Sequence, residues 1–461
     1  MLRRTGGGFG YLALAGLLGT EATHSLAGAP TPRLLLPTYP LAPKAAQFAA
    51  RAKRVIFLFM PGGPSQVDTF DPKPRLTRDH GKPSPKLYLG QQRNLLGSPW
   101  TFQKYGQSGL EVSELFPNIA RCSDDLCVIR SMTADDTNHP GGCLQMNTGE
   151  RVSSRPSMGA WVTYGLGTIN QNLPGFIAIG PGPLIEGARQ YGASFLPASY
   201  QGTFVSDLDN PIQNLKNPTA GAAQQRRELD ALKRLNELHA EQRLDDGRLP
   251  ARIASFELAY RMQAEAPEAF DLGKESDPTK KLYGIDQPHT AIFGKQCLLA
   301  RRLVERGVRF VQLYHTTGGF QPWDQHGDLK AGHAKNAVAT DLPIAGLLHD
   351  LKARGLLEDT LVIWGGEFGR TPAAQGNDGR DHHPYGFTMW LAGGGVRGGM
   401  TYGATDDLGW DAVENPVHVH DLHATILHLL GIDHEKLTYR YAGRDFRLTD
   451  VSGRVVEGIL A

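Results

Sequence analysis

The segment PWDQHGD contains two side chains whose types and spacing suit metal binding. Asp324 and His326 stand two residues apart, so in an extended segment both side chains point to the same face. A carboxylate oxygen and an imidazole nitrogen are common ligands of zinc. The alternative is a turn in which Asp324 caps the local backbone and His326 is a surface residue. The pair is therefore a candidate for metal ligation.

Residues 363–386, IWGGEFGRTPAAQGNDGRDHHPYG, gather carboxylates, imidazoles and a guanidinium close to glycines. Glu367 is a candidate metal ligand, or it forms an ion pair with Arg370. His382 is a candidate ligand with Asp381 as its carboxylate partner, because a ligating imidazole needs its other nitrogen fixed. The alternative is a polar turn before the next strand. This composition indicates a site more than a solvated connection.

Two further residues could take part in chemistry. His139, in NHPGG, is a candidate nucleophile, base or substrate contact, and the alternative is a loop histidine packed by Pro140. Asp68 lies in the segment that follows the first apolar run. The histidines between His418 and His428 precede or lie on a predicted helix, where packing explains them at least as well as ligation.

Short apolar runs predict the strands that must position these residues. Continuous apolar runs of this kind fit central strands of a parallel sheet that is buried on both faces. Helical patterns at 288–306 and 335–354 lie between some of the runs. Strands that alternate with helices predict an α/β fold with a mostly parallel sheet covered on both sides. The predicted strands are 54–60, 126–132, 175–180, 308–314, 360–366 and 387–393.

The candidate residues follow the ends of four of these strands. Asp68 follows the first strand, His139 the second, Asp324 the fourth and Glu367 the fifth. Ligands of open parallel sheets bind beyond the carboxyl ends of the strands. The order of segments therefore predicts one rim that carries acids and histidines together.

Composition excludes some classes of protein. The formal net charge of +1 over 461 residues, with no clustered basic excess, argues against a dedicated nucleic-acid binder. The four cysteines have no CxxC spacing of a structural zinc site. Cys122 and Cys127 could pair across a short loop, but a core of this size needs no disulfide, and buried free thiols are favoured.

The N-terminus has the layout of an export signal. Residues 1–29 combine a basic start, an apolar run at 9–18 and small residues. The paired Arg3 and Arg4 suggest twin-arginine export, which carries folded proteins. The run is too short for a resident membrane span. We therefore expect a periplasmic or extracellular protein without a stable membrane span after processing.

The rest of the chain is interpreted as one domain with an insertion. Residues 30–50 are predicted to form an extended lead-in, and residues 51–461 the domain itself. The charged stretch near 224–265 carries leucines in helical phase and predicts a helical hairpin inserted on the α/β core.

Several segments together resemble the successive signatures of a large bacterial domain-of-unknown-function family. Its exported members are placed in the alkaline phosphatase-like, or sulfatase-like, superfamily. The resemblance runs from about residue 50 to the C-terminus, and it implies an α/β/α sandwich that hydrolyses phosphate or sulfate esters at a metal site on the strand ends. The segments are FLFMPGGPSQVDTFDPKP, PWDQHGD, TLVIWGGEFGRTP, GRDHHPYGF, LAGGGVRGG and YAGRDFRLTDVSG.

The resemblance carries a metal site over to this sequence. Asp324 and His326 fall where the superfamily has an Asp and His ligand pair. His382 falls at a position similar to that of the last His ligand of the same site. Glu367 matches the Asp of an Asp-His-Gly or Asp-Asn-Gly motif. One divalent metal is implied, held by these residues with Glu367 or Asp381 as a further ligand or orienting group. The mixed nitrogen and oxygen set suits zinc, and manganese or iron less well.

The sequence departs from the superfamily on the other half of the site. The first strand ends in the segment 61–63, Pro-Gly-Gly, in place of an Asp, and Phe368 stands where a second metal would have its His or Asn. No Ser, Thr or Cys stands at the nucleophile position near Asn138 or His139. A second metal position is thus lost, or rebuilt from Asp68, and formylglycine chemistry is not supported.

Two functions follow from the resemblance. The first is a metal-dependent hydrolase of an anionic phosphate or sulfate ester, with polysaccharide esters among its candidate substrates. Metal-activated water would be the nucleophile, His139 the base or acid, and Arg370 the group that holds the anion. The second is a catalytically silent relative that binds an anionic glycan or a partner protein. The density of titratable groups favours the enzyme.

Overall fold

A computed structural model describes residues 40–212, 215, 221–241, 248–317 and 319–461. The predicted export signal lies outside these residues, as does the first part of the predicted lead-in. Residues 40–50 form neither helix nor strand. The Lys44 amide donates to the Leu166 carbonyl at 2.9 Å and the Gln47 amide to the Gly431 carbonyl at 2.9 Å, so this segment runs over the surface of the domain.

A nine-stranded sheet forms the centre of the fold. Its order is β12-β4-β11-β8-β1-β7-β5-β6, with β15 also paired to β4. Strand β11 is antiparallel to both of its neighbours, and the remaining pairs are parallel. All six predicted strands form, with ends within two residues of those predicted. The strands are β1 (Arg54–Phe59), β4 (Leu126–Thr133), β5 (Phe176–Ile179), β6 (Thr203–Val205), β7 (Phe310–Tyr314), β8 (Thr360–Gly365), β11 (Phe387–Ala392), β12 (Met400–Tyr402) and β15 (Val417–His418).

Helices cover both faces of this sheet, so the predicted α/β/α sandwich is confirmed. Along β1, Val55 and Phe57 pack with one apolar core and Ile56 and Leu58 with the other, as the period of two in a strand requires. Helices α3, α4 and α10 contribute to the first core, and α6, α8 and α9 to the second. The helices are α1 (Gln66–Thr69), α2 (Pro74–Arg78), α3 (His139–Thr148), α4 (Met158–Leu166), α5 (Ala222–Glu241), α6 (Arg248–Ala269), α7 (Asp277–Leu282), α8 (Ala291–Glu305), α9 (Leu329–Ala353) and α10 (Val419–Leu429).

In the described part of the chain, four short hairpins and the charged helices lie around the sandwich. Helices α5 and α6 occupy the stretch of the predicted insertion, and Arg226 of α5 pairs with Glu257 of α6 at 2.9 Å. No helix of the described ranges has the length and apolar composition needed to cross a membrane. The hairpins are β2 (Phe102–Tyr105) with β3 (Leu110–Ser113), β9 (Gly369–Gln375) with β10 (Gly379–His383), β13 (Ala404–Thr405) with β14 (Ala412–Glu414), and β16 (Tyr439–Tyr441) with β17 (Arg444–Phe446).

The four cysteines are all buried with free thiols. Cys122 and Cys127 therefore form no disulfide, and the apolar cores hold the domain without one. Burial raises the pKa of the Cys127 thiol to about 12, so this sulfur stays protonated.

Candidate metal centre

The carboxyl ends of three sheet strands deliver four side chains to one point. His139 is the first residue of α3, which follows β4, and Asp324 and His326 lie in the loop between β7 and α9. His382 lies on β10, in the hairpin that follows β8. One ligand atom from each of the four residues lies within 4.8 Å of the other three. The structure thus brings together His139, Asp324, His326 and His382, which we call the histidine-aspartate cluster.

The Asp324 carboxylate is the centre of this cluster. Its Oδ1 lies 2.9 Å from His326 Nε2 and 3.2 Å from His382 Nε2. Its Oδ2 lies 3.2 Å from His139 Nε2. The Nε2 atoms of His326 and His382 are 3.0 Å apart. Every histidine therefore presents the same ring nitrogen to the carboxylate.

The other ring nitrogen of each histidine, Nδ1, lies against an oxygen acceptor. An Nδ1–H that donates there leaves Nε2 with a lone pair, which is how a ligating imidazole is held in proteins. The Nε2 atoms of His326 and His382 either share one proton or bind one cation, and His139 Nε2 is buried without a hydrogen-bond partner among the described residues. The cluster therefore fits a divalent metal. The acceptors are Glu367 Oε1 for His139 at 2.6 Å, Gln375 Oε1 for His326, and the Thr137 carbonyl for His382 at 2.6 Å.

Glu367 holds His139 and lies next to the four residues of the cluster. Its side chain is fully buried, and Oε1 also accepts a hydrogen bond from the Gly62 amide at 2.9 Å. Gly62 has φ +109, and a Cβ there would lie 2.5 Å from the Asp324 nitrogen. The Pro-Gly-Gly segment, at which the sequence differs from the superfamily, thus supplies a backbone donor to Glu367. Only glycine permits the close approach of residue 62 to the Asp324 backbone.

Arg370 is placed differently from the sequence-based assignment. Its guanidinium is fully buried and donates to the carbonyls of Gly62, Gly63 and Arg380. It also donates to Asp324 Oδ1 at 2.7 Å. The assignment of Arg370 as the contact for an anionic ester is therefore revised. The arginine orients the central carboxylate of the cluster.

Two predicted carboxylates also have other partners. Asp381 pairs with Arg93 at 2.9 Å, and its Oδ1 accepts a hydrogen bond from the His382 amide at 2.9 Å. Asp68 pairs with Arg380 at 2.7 Å, and both side chains are fully buried. The structure thus keeps Asp381 beside the cluster as a support and does not rebuild a second metal position from Asp68.

Phe368 forms an apolar wall of the cluster. Its ring is 1% exposed, and its centroid lies 5.0 Å from the His139 ring and 4.7 Å from the His382 ring. A Cβ on Gly63 or Gly142 would lie within 3.1 Å of the Phe368 ring. The phenylalanine therefore lines the cluster with an apolar ring that offers no ligand atom.

The charges of the cluster are strongly coupled. Burial raises the pKa of Asp324, but the three neighbouring histidines and the charge of Arg370 outweigh it and hold this pKa well below its usual range. Burial lowers the pKa of His139, but Asp324 and Glu367 together raise it to about 9. Burial and the charge of Arg370 lower the pKa of His382. Without a metal, His139 thus carries a proton that a metal would displace.

We expect the affinity for a divalent metal to rise with pH up to about pH 9. Below that pH, His139 is protonated, and metal binding must release this proton. The dissociation constant should fall about tenfold per pH unit for each proton released. Competition titration against a chelator of known affinity would measure it. An affinity for zinc that does not change between about pH 6 and pH 9 would contradict His139 as a ligand.

The fold and the cluster define the protein as an α/β/α sandwich with a candidate metal centre at the carboxyl ends of its strands. The profile of the family described as "Protein of unknown function (DUF1501)" matches residues 52–460. The chain belongs to this family. No curated protein matches the sequence.

Several solved structures resemble the fold of this chain at low sequence identity. The lipoteichoic acid synthase LtaP from Listeria monocytogenes is 10% identical, with 89% of this chain and 78% of that chain covered and a TM-score of 0.35. A protein of the alkaline phosphatase superfamily from Vibrio parahaemolyticus is 12% identical, covering 89% and 72%, with a TM-score of 0.38. The alkaline phosphatase from the Antarctic bacterium TAB5 is 10% identical, covering 82% and 98%, with a TM-score of 0.35. TM-scores this low give no basis for transferring an activity.

Proposed function

We propose that this chain is an exported, metal-dependent hydrolase of phosphate or sulfate esters that holds one divalent ion. The convergence of three imidazole nitrogens on Asp324, with two of the nitrogens 3.0 Å apart, carries this proposal. The donor set of nitrogen and oxygen suits zinc, with manganese or iron as alternatives. The sequence resemblance to the sulfatase-like superfamily supports an ester as the substrate.

The residues around the cluster have different roles at such a site. A divalent ion, when bound, would polarise an ester oxygen and lower the pKa of a water. Asp324 supplies negative charge and is kept ionised by the three histidines and by Arg370. Glu367 fixes the ring of His139, and Phe368 keeps water from one wall. We assign His139 as a ligand in place of an acid or base, because its Nε2 faces the other ligand atoms.

A catalytically silent protein that binds an anionic glycan or a partner protein is the second candidate. In the part of the chain that the structure describes, no Ser, Thr or Cys side chain hydrogen-bonds to the cluster. Arg370, the charged group beside Asp324, has its guanidinium bonded to protein oxygens. These observations favour binding without covalent catalysis, and the same experiment separates the two candidates.

Metal analysis followed by an aryl phosphate and aryl sulfate screen tests the proposal. The purified protein should hold about one divalent ion per chain and hydrolyse one of the two esters. Asp324→Ala should lose the ion and lower turnover more than about 100-fold, because orienting partners alone are worth about 10- to 100-fold. The exposed His349→Ala is the matched control and should behave as wild type.

Two outcomes would overturn the hydrolase. If the purified protein holds no metal and hydrolyses neither ester, both the metal site and the activity are disproved. If the protein holds the ion but hydrolyses neither ester, the hydrolase is disproved and the binding function becomes the favoured candidate.

We also propose that residues 1–29 direct export through the twin-arginine route to the periplasm or beyond. The paired Arg3 and Arg4 before an apolar run support this. Cell fractionation tests it, and a protein found in the cytoplasm alone would contradict export.

A further inference from the structure

A polar groove lies beside the histidine-aspartate cluster. Its volume is 590 Å³, within the range of about 300–1,000 Å³ that small-molecule sites occupy. One wall is the turn between β9 and β10, and the other is the loop at 91–96. No residue of this groove belongs to the ligand set.

One layer of side chains separates the groove from the metal centre. Gln375 lines the groove, and its Oε1 bonds His326 Nδ1. Arg93 also lines the groove and pairs with Asp381, the residue before His382. His326 is 37% exposed and is the most open of the cluster's side chains. A molecule in the groove would therefore reach the open edge of the centre.

The groove offers neutral hydrogen-bonding groups. Gln91, Asn94 and Asn377 line it and are exposed, and among the described residues the side-chain amides of Asn94 and Asn377 have no partner. A carboxamide carries a donor and an acceptor side by side, which matches neighbouring hydroxyl groups. The Arg93 charge is neutralised by Asp381, and its guanidinium lies 5.4 Å from the Tyr88 ring. The groove therefore suits hydroxyl groups better than anions.

A second cavity extends this surface. It measures 450 Å³ and shares His80 and Leu96 with the first. It reaches Thr77 of α2 and Lys330 of α9. The two cavities together follow the surface around His80, which fits an extended chain better than a single small ester.

We propose that this groove binds the neutral, hydroxyl-rich backbone of a carbohydrate polymer. The polymer would present an ester group to the cluster, and this last step rests on the proposed hydrolase function. Binding of the polymer itself does not require the metal.

Affinity electrophoresis of the metal-stripped protein against dextran, laminarin, xylan and dextran sulfate tests the groove. Wild type should bind at least one of the neutral polymers. The Asn94→Ala/Asn377→Ala double variant should bind it about tenfold more weakly, since two hydrogen bonds are removed. Gln107→Ala, a matched exposed amide outside the groove, should bind as wild type. If the double variant does not fold, Gln91→Ala replaces it and should weaken binding about threefold.

Each result bears on one proposal separately. Failure to bind any neutral polymer, or unchanged binding by the groove variant, overturns the groove whatever the aryl ester screen shows. Binding that depends on Asn94 and Asn377 in a protein that hydrolyses no ester supports the groove and leaves the hydrolase overturned.

Discussion

Replacing Glu367 with alanine is expected to lower the affinity for a divalent metal by about 10- to 100-fold. The carboxylate fixes His139 through Nδ1 at 2.6 Å and accepts the Gly62 amide at 2.9 Å. Alanine removes the Oε1 acceptor of both hydrogen bonds inside a fully buried space, so the His139 ring is free to turn away from Asp324. Chelator competition with metal quantified by mass spectrometry measures the change.

Two variants sharpen this result. Glu367→Gln keeps an oxygen acceptor for both donors and should retain more affinity than the alanine variant. Glu358→Ala changes an exposed glutamate two residues before β8 and should leave the affinity unaltered. Equal affinity of Glu367→Ala and wild type would show that His139 is not held by this carboxylate.

Replacing Asp68 with alanine is expected to lower the free energy of unfolding by about 3–5 kcal/mol, the usual cost of breaking a buried ion pair by removing one partner. Asp68 and Arg380 are both fully buried and lie 2.7 Å apart. The variant leaves the Arg380 guanidinium without its counter-charge. Urea denaturation followed by circular dichroism measures the loss.

A surface pair provides the control for this prediction. Asp79 pairs with Lys82 at 2.7 Å, and the lysine is well exposed, so Asp79→Ala should lower the free energy of unfolding far less than Asp68→Ala. Because Arg380 lies on β10, two residues from His382, Asp68→Ala should also weaken metal binding. A stability loss as small as that of Asp79→Ala would mean that Arg380 finds other compensation.

The central sheet could be predicted because its strands are buried on both faces. Arg54–Phe59 and Thr360–Gly365 contain short runs of branched and aromatic apolar residues, and runs of this length and composition favour a buried strand over a helix. The direction of Phe387–Ala392 could not be predicted, since an apolar run has the same pattern in a parallel and an antiparallel strand. The hairpin of β9 and β10 was interpreted only as a polar segment, although its QGNDG sequence is a turn signal.

The site was partly accessible to sequence reasoning. The resemblance pointed to Asp324, His326 and His382, and the structure brings them together. The place of His139 in the ligand set depends on the turn before α3, which no periodicity describes. Gln375 was missed because its contact with His326 joins two residues that are 49 positions apart in the sequence.

For Arg370 and Asp68, sequence reasoning predicted functional contacts that the structure does not show. Their charges suggested contact with substrate and with a second metal, but both side chains are fully buried beside protein partners. A single sequence does not reveal which carboxylate will meet which guanidinium. The partners in these ion pairs could therefore be identified only from the three-dimensional structure.

The cluster becomes more open from its floor to its rim, and this gradient bears on how an ion would be loaded. Glu367 at the floor is fully buried, His139 is 10% exposed and His326 at the rim is 37% exposed. An ion that entered from solvent would meet His326 before His139. Its entry and release would then depend on the His326 side chain, which Gln375 of the neighbouring groove holds.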